Sequence, residues 1–185
     1  MENDGKTTNA INLALSLCPQ YKVLLIDADI LNPNVLRELQ LNINAGILLK
    51  NLIDFPDSYS NHIATEPNTG LSVLSLRGSP NSPKRSSDLF GTPQFKSLLD
   101  RIKQDYDYVI IDTPPAKMLA DASILSQYVD GVILSVRQGH APIDLVVQTR
   151  DDFLLVQSQI IGCIFSDVKH ISLDSSDRYR YYERK

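Results

Sequence analysis

The residues with the clearest chemical meaning stand near the start of the chain, in the run Gly5-Lys6-Thr7-Thr8. Glycine lets backbone N–H groups approach phosphate oxygens, and the N-terminus of a helix adds partial positive charge. A lysine at this place neutralises the β- and γ-phosphates, and a threonine hydroxyl ligates Mg²⁺. The run therefore matches the end of the phosphate-binding pattern G-x-x-x-x-G-K-S/T, whose first glycine would fall one residue ahead of Met1. The alternative interpretation is a lysine near the start of an ordinary helix.

Carboxylate side chains follow two apolar runs farther along the chain. Asp27 and Asp29 come after the letters KVLLI, and Asp112 comes after YVII. Because the carboxyl ends of parallel strands face the ligand crevice of an open α/β sheet, we expect these carboxylates at one edge. Mg²⁺ favours a few carboxylates together with phosphate oxygens and water. The alternatives are aspartates that cap solvated strand ends, and an ordinary buried strand before Asp112.

The apolar periodicity alternates between helix-like and strand-like segments, which is typical of a doubly wound sheet. Continuous apolar runs such as residues 22–27 favour parallel strands that are covered on both faces. Thr92 and Pro93 predict a helix start, with threonine as the N-cap and proline at the first helical position. The predicted strands are 22–27, 71–76, 107–112, 131–136 and 160–165, the predicted helices are 7–18, 34–40, 46–53, 93–104, 121–129 and 142–157, and 54–68 and 77–92 are predicted loops. We therefore predict an α/β fold with a doubly wound, mostly parallel sheet.

Length and composition set the remaining limits. The chain has 185 residues and a formal net charge of -4, which favours one domain over residues 1–166 followed by a tyrosine-rich tail over residues 167–185. The acidic balance argues against a nucleic-acid partner, since phosphate binding needs clustered positive charge. No apolar run reaches the ~20 residues that span a bilayer. Cys18 and Cys163 stand in apolar runs and are predicted to be small buried core residues.

Taken together, the motifs resemble those of the bacterial tyrosine kinases (BY-kinases) of capsular and exopolysaccharide synthesis, which are relatives of MinD/ParA-type P-loop ATPases. The resemblance covers about residues 5–166. It is carried by GKTT, by KVLLIDAD with Pro33 behind it, by YDYVIIDTPP, and by the pairs Asp121-Ala122, Asp130-Gly131 and Val136-Arg137. It implies a P-loop NTPase fold whose first strand is missing from this sequence. It also implies an Mg-ATP-dependent protein-tyrosine autokinase that regulates the synthesis and export of a polysaccharide.

The resemblance also assigns roles to individual residues. The implied phosphate-binding residues are Gly5, Lys6, Thr7 and Thr8, the implied catalytic residues are Lys6, Asp27 and Asp112, the implied Mg²⁺ ligands are Thr7, Asp29 and Asp112, and the implied autophosphorylation sites are Tyr179, Tyr181 and Tyr182. Asp27 would be the base or orienter of the tyrosine hydroxyl. The implied partners are other copies of the chain in a ring and a membrane-embedded polysaccharide co-polymerase, which would hold a cytoplasmic kinase at the inner face of the plasma membrane.

Two positions depart from the pattern of that family. Leu31 stands where the family usually has an arginine, and Ser166 stands where it usually has an asparagine that reads the adenine. Serine cannot present the paired donor and acceptor of an amide. Two alternatives therefore stay open beside the kinase: a MinD/ParA-type positioning ATPase, and a catalytically dead kinase-like adaptor.

Overall fold

The computed structural model of the chain describes residues 4–42, 46–78, 86–116 and 120–168. The predicted phosphorylation sites Tyr179, Tyr181 and Tyr182 lie outside these residues. The helices are α1 (Lys6–Leu17), α2 (Val35–Glu38), α3 (Leu49–Asp54), α4 (Ser86–Phe90), α5 (Pro93–Ile102), α6 (Asp121–Leu125) and α7 (Ile143–Leu155), with a 3-10 helix at Pro56–His62. The strands are β1 (Val23–Asp27), β2 (Ile47–Leu48), β3 (Ala64–Thr65), β4 (Ser72–Arg77), β5 (Tyr108–Asp112), β6 (Val132–Arg137) and β7 (Ile160–Ser166).

The sheet is mostly parallel, as predicted, but it falls into two parts. The larger part has the order β2-β4-β1-β5, with β3 added antiparallel to β4. The smaller part is the parallel pair β6 and β7. In the described chain, no strand joins β5 to β6.

The larger sheet is covered on both faces, which explains its continuous apolar strands. All five residues of β1 are buried. Leu24 belongs to a core cluster with Phe90 of α4 and Phe95 of α5. Leu25 points away from that cluster into a second one, which includes Ile11 of α1. Since side chains alternate along a strand, the two clusters lie on opposite faces of the sheet.

The start of α5 follows the sequence signal. The backbone N–H of Phe95 donates to Oγ1 of Thr92 at 3.2 Å, and Pro93 opens the helix. This contact satisfies one of the N–H groups that a helix start leaves without a partner. The N-cap prediction is therefore confirmed.

Two predicted loops contain regular structure. The segment 54–68 includes a 3-10 helix, in which Tyr59 is buried and donates a hydrogen bond to Asp105. The segment 77–92 includes α4, where the apolar pair Leu89 and Phe90 is buried against the core. In both segments a few apolar side chains pack inward although most of the sequence is polar and turn-forming. Counting polar residues therefore gave the wrong prediction.

The prediction that both cysteines are buried is wrong for Cys163. It lies exposed on β7, between Ile161 at 60% exposure and Phe165 at 53%. Within the described residues β7 pairs only with β6, so this strand keeps one free edge and a poorly covered surface. Cys18 is partly buried at the end of α1.

Candidate nucleotide-binding site

Gly5 makes the turn that starts α1. Its φ is 76°, in the left-handed region that favours glycine, and its carbonyl accepts the N–H of Asn9 at 2.8 Å. A Cβ at this position would meet Asn9 and the hydroxyl of Ser166 only at 3.7 Å, so the backbone angle and not crowding requires glycine. The same distance places Ser166, the predicted adenine-side position, beside this turn. Lys6 follows as the first residue of the helix.

Thr7 connects α1 to the end of β5. Its hydroxyl donates to Oδ2 of Asp112 at 2.7 Å, and the Asp112 side chain is buried. Burial raises the pKa of Asp112, while the hydrogen bond from Thr7 and the positive charge of Lys6 oppose that rise. The Lys6 ammonium is therefore close enough to act on this carboxylate. Because a hydroxyl oxygen keeps its lone pairs when it donates, Thr7 can still ligate a cation.

Asp27 lies on the neighbouring strand, directly opposite Asp112 in the sheet register. It is fully buried, and Oδ2 accepts the N–H of Val35 at 3.0 Å. Burial raises the pKa of Asp27 to about 7; the Val35 hydrogen bond opposes the rise and the Asp112 charge adds to it. A carboxyl group with a pKa near neutrality can accept and release a proton under ordinary conditions. This property fits the predicted role of a base.

Asp29 and Asp121 complete the acidic edge. Asp29 accepts the N–H of Asn32 at 3.2 Å, and its negative charge adds to the rise that burial causes in the pKa of Asp27, Asp112 and Asp121. Asp121 was not among the predicted site residues. It is almost completely buried at the start of α6, and Ser86 of α4 donates to its Oδ2 at 2.6 Å. Two signals in the sequence indicated it: Asp121 stands at the start of a predicted helix, and the pair Asp121-Ala122 fits the pattern of the family that the chain resembles.

The oxygen-rich edge fits an Mg²⁺ ion that also binds phosphate. Oδ1 of Asp27 and Oδ1 of Asp121 are buried without a hydrogen-bond partner in the described part of the chain. Over the same residues, no group of three or more His, Cys, Asp or Glu side chains is arranged to hold a metal ion. An Mg²⁺ ion at Thr7, Asp29 and Asp112 would therefore take its remaining ligands from phosphates and water, which is how this ion is commonly bound beside nucleotides.

A second connection leads from α1 to β6. Asn9 donates to the hydroxyl of Ser135 at 2.8 Å, and that hydroxyl donates to the carbonyl of Asp4 at 2.7 Å. The start of α1 therefore touches the ends of both β5 and β6. Asn9 and Ser135 are separated by 126 residues, and nothing in their sequence surroundings indicated this contact.

The structure thus brings most of the predicted site together. Gly5, Lys6, Thr7, Asp27, Asp29 and Asp112 lie around the start of α1 and the carboxyl ends of β1 and β5. Thr8 lies exposed on the first turn of α1. Among the helices that the structure describes, none combines the length and the apolar character of a membrane span.

Comparison with known proteins shows which proteins this chain is similar to. A family model described as an AAA domain matches residues 4–146. Tyrosine-protein kinase YwqD of Bacillus subtilis (strain 168) is 31% identical over 186 residues, with 98% of this chain and 74% of YwqD covered. Succinoglycan biosynthesis transport protein ExoP of Rhizobium meliloti (strain 1021) is 27% identical over 188 residues, which cover 98% of this chain but 24% of ExoP. The crystal structure of the VpsO kinase domain superposes with a TM-score of 0.82 at 29% identity, covering 91% of this chain and 81% of VpsO.

Proposed function

Because the chain belongs to the AAA-domain family and, within it, to the bacterial tyrosine-protein kinases, we propose that it transfers the γ-phosphate of ATP to tyrosine in the regulation of capsular or exopolysaccharide synthesis. The observation that carries the proposal is the hydrogen bond from Thr7 to Asp112 beside Lys6. This contact joins a phosphate-binding helix start to the carboxylate that follows an apolar strand. Both parts are needed to bind a metal-bound triphosphate.

The proposed reaction depends mainly on positioning and on neutralising charge. Gly5 and the first turn of α1 offer N–H groups to the phosphates, and the Lys6 ammonium neutralises their negative charge. Mg²⁺, when bound at Thr7, Asp29 and Asp112, supplies further positive charge at the phosphate oxygens. Asp27 accepts the proton of the attacking tyrosine hydroxyl, since its pKa of about 7 lets it exist unprotonated near neutral pH.

The proposed acceptors are Tyr179, Tyr181 and Tyr182 in the tail of a neighbouring copy. These three tyrosines stand among Arg178, Arg180, Arg184 and Lys185, in a strongly basic segment. Each phosphate adds about −1.5 to −2 charge, so modification of all three would make the tail acidic. An acidic tail would be repelled by the carboxylates Asp27, Asp29 and Asp112. Phosphorylation would therefore weaken the contact between copies and limit further transfer.

We also propose in which biosynthetic system and with which partner proteins the reaction takes place. The name of ExoP, a succinoglycan biosynthesis transport protein, supports a polysaccharide system as the place of action. The partner would be a membrane-embedded polysaccharide co-polymerase that holds the kinase at the cytoplasmic face of the plasma membrane. The active assembly would be a ring of copies, in which each tail reaches the site of its neighbour.

The experiment is incubation of the purified chain with Mg-ATP, followed by anti-phosphotyrosine detection and mass spectrometry. We expect phosphate on the tail tyrosines, loss of the signal in Lys6→Met, and no change in Lys50→Met, which alters an exposed lysine on α3. The triple change Tyr179→Phe, Tyr181→Phe and Tyr182→Phe should keep activity on an added tyrosine polymer. Wild-type protein that binds ATP without forming phosphotyrosine would contradict the proposal: ATP hydrolysis would then favour a positioning ATPase, and its absence an adaptor.

A further inference from the structure

The carboxyl ends of β6 and β7 lie beside the turn that starts α1. A Cβ on Gly5 would lie 3.7 Å from the hydroxyl of Ser166, and the hydroxyl of Ser135 donates to the carbonyl of Asp4 at 2.7 Å. The carboxylates that fit Mg²⁺ lie at the ends of β1 and β5, which do not pair with β6 in the described chain. A triphosphate with its γ-phosphate at those carboxylates would therefore extend its nucleoside toward the ends of β6 and β7.

Three polar side chains stand at these two strand ends. Arg137 is the last residue of β6, Ser166 is the last residue of β7, and Asp167 follows Ser166. The backbone N–H of Gln138 donates to the carbonyl of Ser166 at 3.0 Å, so the two strand ends are joined beyond the ladder itself. A base that reaches this place would meet the serine hydroxyl, the carboxylate and the guanidinium group.

Asp167 is held in one orientation but can still accept hydrogen bonds. Its φ is 55°, in the left-handed region that aspartate tolerates better than most residues. Nε and Nη2 of Arg137 both donate to Oδ2 of Asp167, at 3.0 and 2.9 Å. A carboxylate offers about four lone-pair positions over its two oxygens. Oδ1 can therefore accept from a ligand, and the half-exposed side chain is accessible to one.

A carboxylate distinguishes the two purine bases. The Watson–Crick edge of guanine presents two neighbouring donors, N1–H and the N2 amino group, whereas that of adenine presents one donor, the N6 amino group, beside the acceptor N1. An ionised carboxylate only accepts hydrogen bonds. It can therefore make two hydrogen bonds to guanine but one to adenine, whose N1 lone pair repels the second oxygen. Because hydrogen bonds to a charged group are stronger than neutral ones, Asp167 favours guanine.

Ser166 does not oppose this preference. Its hydroxyl donates to the carbonyl of Val136 at 3.5 Å, which is a long hydrogen bond. A hydroxyl group rotates to suit its partner and can act as donor or acceptor. It can therefore donate to O6 of guanine as readily as it accepts from the N6 amino group of adenine. Of the two residues, Asp167 is the one that discriminates.

We propose that the Asp167 carboxylate binds the Watson–Crick edge of guanine, so that the chain binds guanosine nucleotides at least as tightly as adenosine nucleotides and uses GTP as well as ATP. Arg137 is a positioning residue, because it acts on the base only through Asp167. The inference rests on the proposed function, which places the phosphates at Gly5 and Lys6. The reaction with GTP is the same transfer: the tyrosine oxygen bonds to the γ-phosphorus, the bond to the β–γ bridging oxygen breaks, GDP leaves, and Asp27 takes the hydroxyl proton.

The experiment is calorimetric titration of the full chain with three nucleoside diphosphates in the presence of Mg²⁺: GDP, ADP and inosine diphosphate. Inosine keeps the N1–H of guanine and lacks the N2 amino group, so it removes one of the two donors and nothing else. We expect GDP to bind at least as tightly as ADP. Inosine diphosphate should bind about 5-fold more weakly than GDP, since one hydrogen bond to the carboxylate is lost.

A matched pair of variants locates the preference. Asp167→Asn replaces one acceptor oxygen by an amino donor, which suits adenine and not guanine, so GDP should bind about 5-fold more weakly while ADP binding does not weaken. Asp151→Asn changes an exposed aspartate of α7 that pairs with Arg150, and it should leave the affinities for both nucleotides unchanged. Thermal melting shows whether each variant is folded, and the series of three nucleotides on the wild-type chain decides the question without any variant.

Arg137→Gln tests the positioning role. The variant keeps the Asp167 carboxylate but removes the two hydrogen bonds that orient it. We expect GDP binding to weaken by less than in Asp167→Asn and ADP binding to stay the same. An equal loss for both nucleotides would show that Arg137 only supports the fold, which overturns its positioning role.

Three results would overturn the guanine assignment. The first is ADP binding more than ~10-fold tighter than GDP binding. The second is equal affinity for GDP, ADP and inosine diphosphate, which would show that no protein group contacts the edge of the base. The third is an equal loss of GDP and ADP binding in Asp167→Asn, which would show that this residue supports the site without contacting the base.

Phosphotyrosine detection after incubation with Mg-GTP or Mg-ATP separates this inference from the proposed function. Phosphotyrosine formed with both nucleotides supports both. Phosphotyrosine formed with ATP alone overturns this inference and leaves the proposed function standing. Preferential binding of GDP without phosphotyrosine from either nucleotide overturns the proposed function and supports the guanine assignment. A chain that binds none of the nucleotides overturns both.

Discussion

The two parts of the sheet contrast strongly although their strands have similar sequences. The strand VLLID of β1 is buried at all five positions, whereas VILSVR of β6 has no fully buried residue. β1 has a paired strand on each side and a core cluster on each face. Among the residues that the structure describes, β6 pairs with one strand, and its other edge borders a cavity of about 650 Å³. The contrast shows that the apolar sequence of a strand determines how much side-chain surface it could bury. The elements packed beside it determine how much of that surface is buried in the folded protein.

The largest expected effect is a difference in stability between one substitution in each part. Leu25→Ala removes a fully buried side chain of β1, and Ile133→Ala removes one of β6 that is 40% exposed. We expect the first to lower the free energy of unfolding by about 3 kcal/mol, because it leaves a cavity in a packed core. The second should cost less than about 1 kcal/mol. Urea unfolding measures both values, and equal losses would show that the two parts are packed alike.

The next largest expected effect is a change of the free energy of unfolding with pH, which arises from the buried carboxylates of the larger part. The folded protein holds the proton of Asp27 up to about pH 7, whereas the unfolded chain releases it near the ordinary value of 3.8. The proton on Asp27 therefore contributes its full stability below the pKa that Asp27 has in the unfolded chain. This contribution is lost as the pH rises through the pKa that Asp27 has in the folded protein. The loss reaches at most ~1.4 kcal/mol per pH unit.

Asp27→Asn tests this dependence, since the asparagine side chain is uncharged at every pH and therefore resembles the protonated form of Asp27. We expect the variant to lose less stability than wild type between about pH 5 and about pH 8, measured by urea unfolding at each pH. Asp112 and Asp121 also have raised pKa values, so part of the slope should remain. A slope as steep as that of wild type would show that Asp27 is ionised in the folded protein at low pH.

The comparison also explains which features the sequence could predict. The α5 start depends on Thr92 and Pro93, which act over one helical turn, and the strands depend on continuous apolar runs. These are local signals, and they predicted the longer strands and helices and the edge that holds Asp27 and Asp112, but they missed α4 and the 3-10 helix at Pro56–His62. The pairs Ser86–Asp121 and Asn9–Ser135 join residues 35 and 126 positions apart, so no local pattern announces them. The exposure of Cys163 depends on which strands lie beside β7, which is also not local.

A smaller loss of stability is expected from a change of Ser135, whose hydroxyl group links α1 to β6. Ser135→Ala removes one donor and one acceptor, so Asn9 and the Asp4 carbonyl both lose a partner. We expect a loss of about 1 kcal/mol, as for a typical part-buried hydrogen bond. Hydrogen exchange should become faster in β6 and β7 and stay unchanged in β1. Faster exchange in β1 would show that the two parts open together.

The smallest effect is expected at the surface of the smaller part, where Arg137 at the end of β6 donates two hydrogen bonds to Asp167, at 3.0 and 2.9 Å. Both side chains are about half exposed, and an exposed ion pair contributes little because water and salt screen it. We expect Arg137→Gln to lower the free energy of unfolding by about 0.5 kcal/mol. Lys50→Gln, which breaks the exposed ion pair with Asp54 in the larger part, should lower it by a similar amount. The two variants should differ in where hydrogen exchange becomes faster, because Arg137 links β6 to the residue after β7 and Lys50 links two residues of one helix. A loss well above that of Lys50→Gln would show that the smaller part depends on this contact for its folding, since within the described ranges it has one strand pairing and little buried surface that could replace the contact.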